Sequence, residues 1–100
     1  MDLQQHILNI SGVFLPISGG DGTTMSNAVI IGSEAKYELI QVENKSISAM
    51  LDEGYWRKVE QSLISVDEKE YDKITIRHFL NDGEVAEMIF WFEVTECFGI

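Results

Sequence analysis

Alternating apolar and polar residues are clearest in the last third of the chain. Residues 71–80 and 84–95 alternate on either side of Asn81-Asp82-Gly83. Two alternating segments joined by a short Asp-Gly turn predict a β-hairpin.

Two registers of this hairpin fit the spacing. A two-residue loop of Asp82 and Gly83 would place Arg77 opposite Met88. A three-residue loop, with Gly83 in the left-handed conformation, places Arg77 opposite Glu87. The second register also pairs Ile76 with Met88, Ile74 with Phe90 and Lys73 with Trp91. We favour it because it combines an ion pair, a cation–π contact and matched apolar pairs.

Both faces of the predicted hairpin are apolar. The core face holds Ile74, Ile76, His78, Leu80, Ala86, Met88, Phe90, Phe92 and Val94. The second face holds Phe79, Val85, Ile89 and Trp91 among charged residues. Burying each of these four side chains contributes about 1.5–3 kcal/mol, so the second face needs a cover. We expect a segment of the same chain, such as the N-terminal region, to supply it in preference to another molecule.

The first third of the chain has weaker signals. Residues 2–10 are compatible with a short helix, and residues 13–15 with a short extended piece before Pro16. The glycine-rich residues 18–24 predict a loop. Residues 28–31 form a short apolar run that predicts a buried strand.

The middle of the chain predicts the main helix, over about residues 34–52. Tyr37, Ile40, Ile47 and Leu51 would form its apolar stripe. Ser33 is the predicted cap and Gly54 the predicted stop. Residues 55–66 fit either a strand or a helix, and we favour a strand because residues 67–70 are typical of a hairpin turn.

These elements predict an α+β fold within a single domain, residues 1–100. One main helix packs on a mostly antiparallel sheet that ends in a C-terminal β-meander, and the strand at 28–31 joins the sheet. A chain of 100 residues with 45% hydrophobic residues can build one packed core.

The charge balance is strongly acidic. Seventeen Asp and Glu residues against seven Lys and Arg give a formal net charge of −10. Nucleic-acid binding requires a basic face, so a nucleic-acid partner is not expected. No segment is long and apolar enough to span a bilayer, and no membrane partner is expected. Cys97 is the only cysteine, which favours a reduced, cytoplasmic protein with a buried thiol.

Residues with catalytic or ligand-binding potential are sparse. The loop at Gly19–Gly22 has no lysine of the kind that phosphate-binding loops use. His6 and His78 have no metal-ligand spacing, and His78 lies on the predicted core face. No serine lies in a nucleophile elbow. We therefore expect no catalytic residue, no metal and no cofactor, and favour a protein that is not an enzyme.

Four short motifs occur in a fixed order along residues 19–99. They are Asp21-Gly22-Thr23-Thr24 followed by Asn27-Ala28-Val29-Ile30-Ile31, Trp56 with Gln61-Ser62-Leu63, Tyr71-Asp72, and the closing run from Phe92 to Gly99. Their order resembles a family of small, functionally uncharacterised bacterial proteins. Glu93 departs from the Asp of that pattern, and Cys97 departs from its Phe. Some relatives are similar to proteins encoded near bacterial toxins, so the resemblance implies an immunity role by analogy and transfers no catalytic residue.

The function that these features favour is a non-enzymatic protein-binding module, of inhibitor or immunity type, that binds a basic protein surface. Charge of this size speeds the encounter with a cationic partner. The predicted contact residues are Glu84, Glu87, Trp91 and Glu93. Two alternatives remain open: a small-molecule-binding or enzymatic domain with a pocket between helix and sheet, and a homodimer without a client protein. The charge could also serve solubility alone.

Overall fold

The chain folds into a five-stranded sheet with helices on one of its faces. The computed structural model describes residues 3–11, 15–51 and 53–97. In chain order the elements are α1 (Leu3–Ser11), β1 (Ile17–Gly19), β2 (Val29–Ile31), α2 (Leu39–Met50), β3 (Tyr55–Val66), β4 (Lys69–Phe79) and β5 (Val85–Glu93). The strand order is β1-β2-β5-β4-β3. Only the β2–β5 pair is parallel among the described strands, which confirms the predicted α+β class and mostly antiparallel sheet.

The β4–β5 hairpin adopts the three-residue-loop register. Arg77 lies opposite Glu87, and Lys73 lies opposite Trp91. Gly83 has φ of +91°, a conformation that glycine adopts without strain. The apolar pairs Ile76–Met88 and Ile74–Phe90 also form. Arg77 and Glu87 are register neighbours, but the one ion pair within 4.0 Å in the described ranges joins Lys69 and Glu93.

Residues 55–66 form a strand, as favoured from the sequence. The turn that follows is shorter than predicted, because Lys69 already pairs with Val66. Asp67 and Glu68 have φ of 50° and 66°, the left-handed pair typical of a two-residue type I′ hairpin. A bulge between Lys58 and Glu60 shifts the β3–β4 register once.

The N-terminal elements complete the sheet. The strand predicted at 28–31 is confirmed as β2, which runs parallel to β5 with Val29 beside Phe92. Strand β1 was not predicted, and it takes Ser18 and Gly19 out of the expected loop. It follows Pro16 directly, where the chain is already extended. Of the extended piece expected at 13–15, only Leu15 lies within the described residues. Helix α1 agrees with the helix predicted at 2–10.

The core lies between the helices and the core face of the hairpin. Its most deeply buried apolar side chains come from β2, α2, β4, β5 and the segment after β5: Val29, Ile31, Ile47, Ile74, Ile76, Phe92 and Val94. Ile7 of α1 and Val42 of α2 belong to the same cluster. The predicted core face is therefore confirmed.

The main helix is shorter than the predicted 34–52. Ser33–Ala35 form a separate 3-10 turn, and α2 begins only at Leu39. The predicted apolar stripe was wrong at its N-terminal end, since Tyr37 is 92% exposed and Ile40 is 59% exposed. Ile47 of the predicted stripe is buried, and it lies beside buried Val42, Glu43 and Ser46. Two of these inward positions are polar, so hydrophobicity alone did not identify them.

No helix in the described part of the chain is long and apolar enough to cross a bilayer.

Candidate functional site

Neither of the two described α-helices packs on the second face of the meander. Within the described ranges, α1 and α2 pack on the core face, and the opposite surface of β3, β4 and β5 is what we call the open face. Its apolar and aromatic members are Tyr55, Ile64, Val66, Tyr71, Phe79, Val85, Ile89 and Trp91.

The open face is only partly covered. Val85 is 55% exposed and Ile89 is 41% exposed. Phe79 is half-buried by a stack on Tyr55, with ring centroids 4.8 Å apart. The expected cover by the same chain forms only in part. Tyr55 stacks on Phe79 and the turn Met25–Asn27 contacts β5, whereas α1 packs against α2 and β1. An apolar sheet surface therefore faces outward.

Three of the four predicted contact residues lie together on the open face. Glu87, Trp91 and Glu93 alternate along β5, and Glu87 is exposed. Glu93 is half-buried and lies 3.6 Å from the Nζ atom of Lys69. Glu84 lies apart from them in the β4–β5 turn, where its backbone N–H donates to Asp82 over 2.9 Å.

Trp91 is held from two sides. The Nζ atom of Lys73 lies 5.6 Å from the centroid of its ring, which confirms the predicted cation–π contact. Its backbone N–H donates to the carbonyl of Gly22 over 2.7 Å. Gly22 has φ of +79°, and an added Cβ would lie 3.3 Å from the Trp91 carbonyl. The glycine lets the loop approach β5 closely at the tryptophan.

The glycine-rich loop folds around Asp21. The Oδ1 atom of Asp21 accepts hydrogen bonds from the N–H and hydroxyl of Thr23 and, over 2.7 Å, from the amide of Asn27. The hydrogen bonds from Thr23 lower the pKa of this carboxyl. The loop uses its one carboxylate on its own donors, as a structural turn does.

The charge of the open face is mixed. Four of the seven Lys and Arg residues lie on it, against three glutamates: Arg57, Lys69, Lys73 and Arg77 against Glu60, Glu87 and Glu93. The rim is acidic. Its turns carry Glu53, Asp67, Glu68, Asp82 and Glu84, with no Lys or Arg in those turns.

A shallow groove extends the open face at one end. Its volume is about 500 Å³, and it lies between the loop residues 24–26 and the β3–β4 turn. Lys69 and the largely buried Tyr71 line it beside Asp67.

A pair of carboxyl groups is buried between α2 and the sheet. Glu43 of α2 is fully buried, and Asp72 of β4 is 5% exposed. The side-chain amide of Gln61 in β3 donates to both, over 3.4 Å to Glu43 Oε1 and 3.2 Å to Asp72 Oδ2. Lys58 Nζ in turn donates to Gln61 Oε1 over 2.8 Å. Three elements thus converge on one buried polar cluster.

Glu43 keeps its proton in the folded protein. Burial raises the pKa of Glu43 to about 9, with further contributions from its hydrogen bond to Asp72 and from the charge of that carboxyl. Its Oε2 atom is buried, and no donor in the described residues bonds to it. A proton on that oxygen satisfies it, because a neutral carboxyl group can donate to Asp72.

The sequence interpretation missed this pair. Asp72 lies two residues before Ile74, so the same alternation that identified the core face places Asp72 on it. Glu43 had a weaker signal. It lies next to Val42 and one helical turn before Ile47, so it borders the face that these two apolar residues bury. The residues that line the groove beside Tyr71 do not include Glu43 or Asp72.

His78 is a satisfied core residue. It is 7% exposed, and its Nε2 atom lies 2.6 Å from the carbonyl oxygen of Glu53. Across residues 3–11, 15–51 and 53–97, no group of three or more His, Cys, Asp or Glu side chains is arranged to hold a metal ion.

Cys97 is buried at 5% exposure, with its Sγ atom 3.6 Å from the Gly32 carbonyl. Burial raises the pKa of its thiol, and nearby carboxylates led by Glu96 raise that pKa further. Both effects suppress the reactive thiolate. We expect a thiol reagent at pH 7 to label Cys97 at least about a hundredfold more slowly in buffer than in denaturant. Rapid labelling of the native protein, followed by absorbance, would contradict this burial.

Comparisons of the chain with protein-family models, with curated proteins and with solved structures gave no match.

Proposed function

We propose that this chain is a non-enzymatic protein-binding module of inhibitor or immunity type, which works in the cytoplasm. It docks its open face on a basic protein surface. The observation that carries the proposal is the uncovered sheet face, where Val85, Ile89 and Tyr55 are each more than 40% exposed. Outward apolar side chains on a regular sheet are a common basis of protein interfaces.

The charge distribution supports a partner with a basic rim. The acidic turns at both ends of the meander and the net charge of −10 accelerate the encounter with a cationic protein. Inside the acidic rim, Lys73 and Lys69 already neighbour Trp91 and Glu93. The centre therefore contributes packing and orientation, and the rim contributes rate.

The test begins with capture of a partner by the immobilised protein from an extract of its own organism. The affinity of the captured protein is then measured at rising salt. We expect Glu87→Lys to slow association about two- to tenfold, because it reverses a charge on the docking surface. Trp91→Ala is expected to weaken binding by about 2 kcal/mol, the range of an interface anchor.

Glu38→Lys is the matched control for Glu87→Lys. Glu38 is exposed at the start of α2, in the layer on the other side of the sheet. Its substitution by lysine changes the net charge by the same amount as Glu87→Lys. The proposal fails if the two variants bind alike, or if the dissociation constant does not change with salt.

A small-molecule-binding or enzymatic domain is the second candidate. The observation in its favour is the convergence of Glu43 and Asp72 between helix and sheet. Against it, Glu43 is fully buried, and a general acid must come within hydrogen-bond distance of its substrate. Retained partner binding by Glu43→Gln would separate the carboxyl pair from the docking function.

A further inference from the structure

The outer edge of β3, which pairs with no other described strand, is a second candidate surface for binding. Strand β3 is 12 residues long and ends the sheet, since its one strand neighbour among the described residues is β4. Its bulge between Lys58 and Glu60 divides it into a charged first half and an uncharged second half, residues 61–66. Bulges and charges protect sheet edges, and the second half has neither.

The hairpin register determines which backbone groups of the second half point outward. Val66 and Lys69 flank a two-residue turn, so they form a hydrogen-bonded pair. Hydrogen-bonded and non-hydrogen-bonded pairs alternate along an antiparallel ladder. Ile64 therefore bonds to β4, whereas the N–H and C=O groups of Leu63 and Ser65 point away from it.

Gln61 follows the same alternation. The outward edge thus presents three residues, Gln61, Leu63 and Ser65, and none of the described turn, loop or side-chain hydrogen bonds uses their backbone groups. Leu63 is 55% exposed and Val66 is 37% exposed, so apolar side chains flank the edge on both faces of the sheet. An edge of this kind can accept an additional strand.

The nearest charged residue at each end of this segment is acidic, which favours a cationic strand. Glu60 precedes the uncharged stretch, and Asp67 and Glu68 follow it. A second copy of this chain is disfavoured because each copy carries a net charge of −10. A strand with uncharged β-branched residues in its middle would pair with the edge. Lys or Arg at its two ends would lie beside the acidic residues that flank the edge.

We propose that the partner of this protein adds a strand to β3 along residues 61–66, as an extended segment of a basic protein with cationic ends. This inference rests on the proposed function and extends it, because Ile64 and Val66 on β3 also belong to the open face. A partner that covers the open face reaches the β3 edge without a gap.

The test uses a short peptide of alternating valine and threonine with lysine at both ends. Backbone amide exchange is measured by NMR with and without the peptide. We expect exchange at Gln61, Leu63 and Ser65 to slow at least about tenfold with the peptide, while Ser62 and Ile64 stay protected by β4 in both samples. A peptide with glutamate at both ends is expected to give no protection.

Leu63→Pro removes one outward N–H and is tolerated where the edge faces solvent. It is expected to abolish the protection, whereas Leu63→Thr, which keeps the N–H, retains it. Circular dichroism checks the fold of Leu63→Pro, and Ser65→Pro replaces it if that fold is lost. Equal protection by both peptides overturns the proposal. Protection without peptide that grows with protein concentration also overturns it, in favour of a second copy.

Binding of a captured natural partner by the Trp91→Ala and Leu63→Pro variants distinguishes this inference from the proposed function. If binding is lost in Trp91→Ala but unchanged in Leu63→Pro, the open face is the docking surface and the partner adds no strand to β3. Binding that is unchanged in both variants and insensitive to salt removes the proposed function itself.

Discussion

Replacing Glu43 by glutamine is expected to stabilise the protein at pH 7 by up to about 3 kcal/mol. Glutamine has nearly the same shape, needs no proton to be neutral, and can donate to Asp72 from its amide. It also keeps an oxygen that can accept from Gln61, as Glu43 does now. The variant therefore removes the cost of neutralising a buried acid and keeps its hydrogen bonds.

The pH dependence gives this prediction its sign. The pKa of Glu43 is raised from 4.5 to about 9 on folding. The native protein thus holds a proton that the unfolded chain releases above pH 4.5. This group's stabilising contribution is fully present below pH 4.5 and is lost as the pH rises towards 9, by about 1.4 kcal/mol per pH unit. The advantage of Glu43→Gln over the wild type should grow across the same window.

Urea unfolding of both proteins at pH 4, 5.5, 7 and about 8.5 measures this difference. Glu38→Gln, which removes an exposed acid without a capping hydrogen bond, is the control, and its difference from wild type should stay within about 0.5 kcal/mol. A constant difference between Glu43→Gln and wild type across the pH range would show that Glu43 is ionised in the folded protein.

The hairpin shows what the sequence predicts well. Register, core face and the Lys73–Trp91 contact all followed from a period of two and the position of Gly83, because both are local properties. The order of the strands in the sheet is a different matter. The parallel contact of β2 with β5 joins residues about sixty positions apart, and no local pattern specifies that pairing.

The helix shows why the rest could not be predicted. An interpretation from hydrophobicity placed Tyr37 and Ile40 in the core, and the structure buries Glu43 and Ser46 in their place. Ser46 is satisfied by the Val42 carbonyl over 2.8 Å, and Glu43 is neutralised beside Asp72. Both compensations depend on partners that only the folded chain brings together, so no periodicity could show them.

The placement of three of the four proposed contact residues on one face was predicted. The alternation along β5 brought Glu87, Trp91 and Glu93 to one face, as the sequence suggested. The sequence also contains the basic residues of β3 and β4. How many of them share the open face depends on the β3–β4 pairing and its bulge, which the sequence does not show. The open face therefore has a mixed centre and an acidic rim, which a count of charges along the chain does not show.

The two faces of β5 are expected to differ sharply when each is truncated. Phe92→Ala should destabilise the fold by about 3–5 kcal/mol, because Phe92 is fully buried between β2 and β4 and its loss leaves a cavity. Ile89→Ala should cost less than about 1 kcal/mol, because Ile89 is 41% exposed on the open face.

Chemical denaturation at pH 7 measures both effects, with the slope against denaturant checking that each variant unfolds in one step. Similar losses from the two truncations would show that the open face is covered in solution, by this chain or by a second copy. A stable Ile89→Ala protein then has a further use. If it folds like the wild type but binds the captured partner more weakly, the apolar side chain is retained at that position for docking, since it contributes little to the fold.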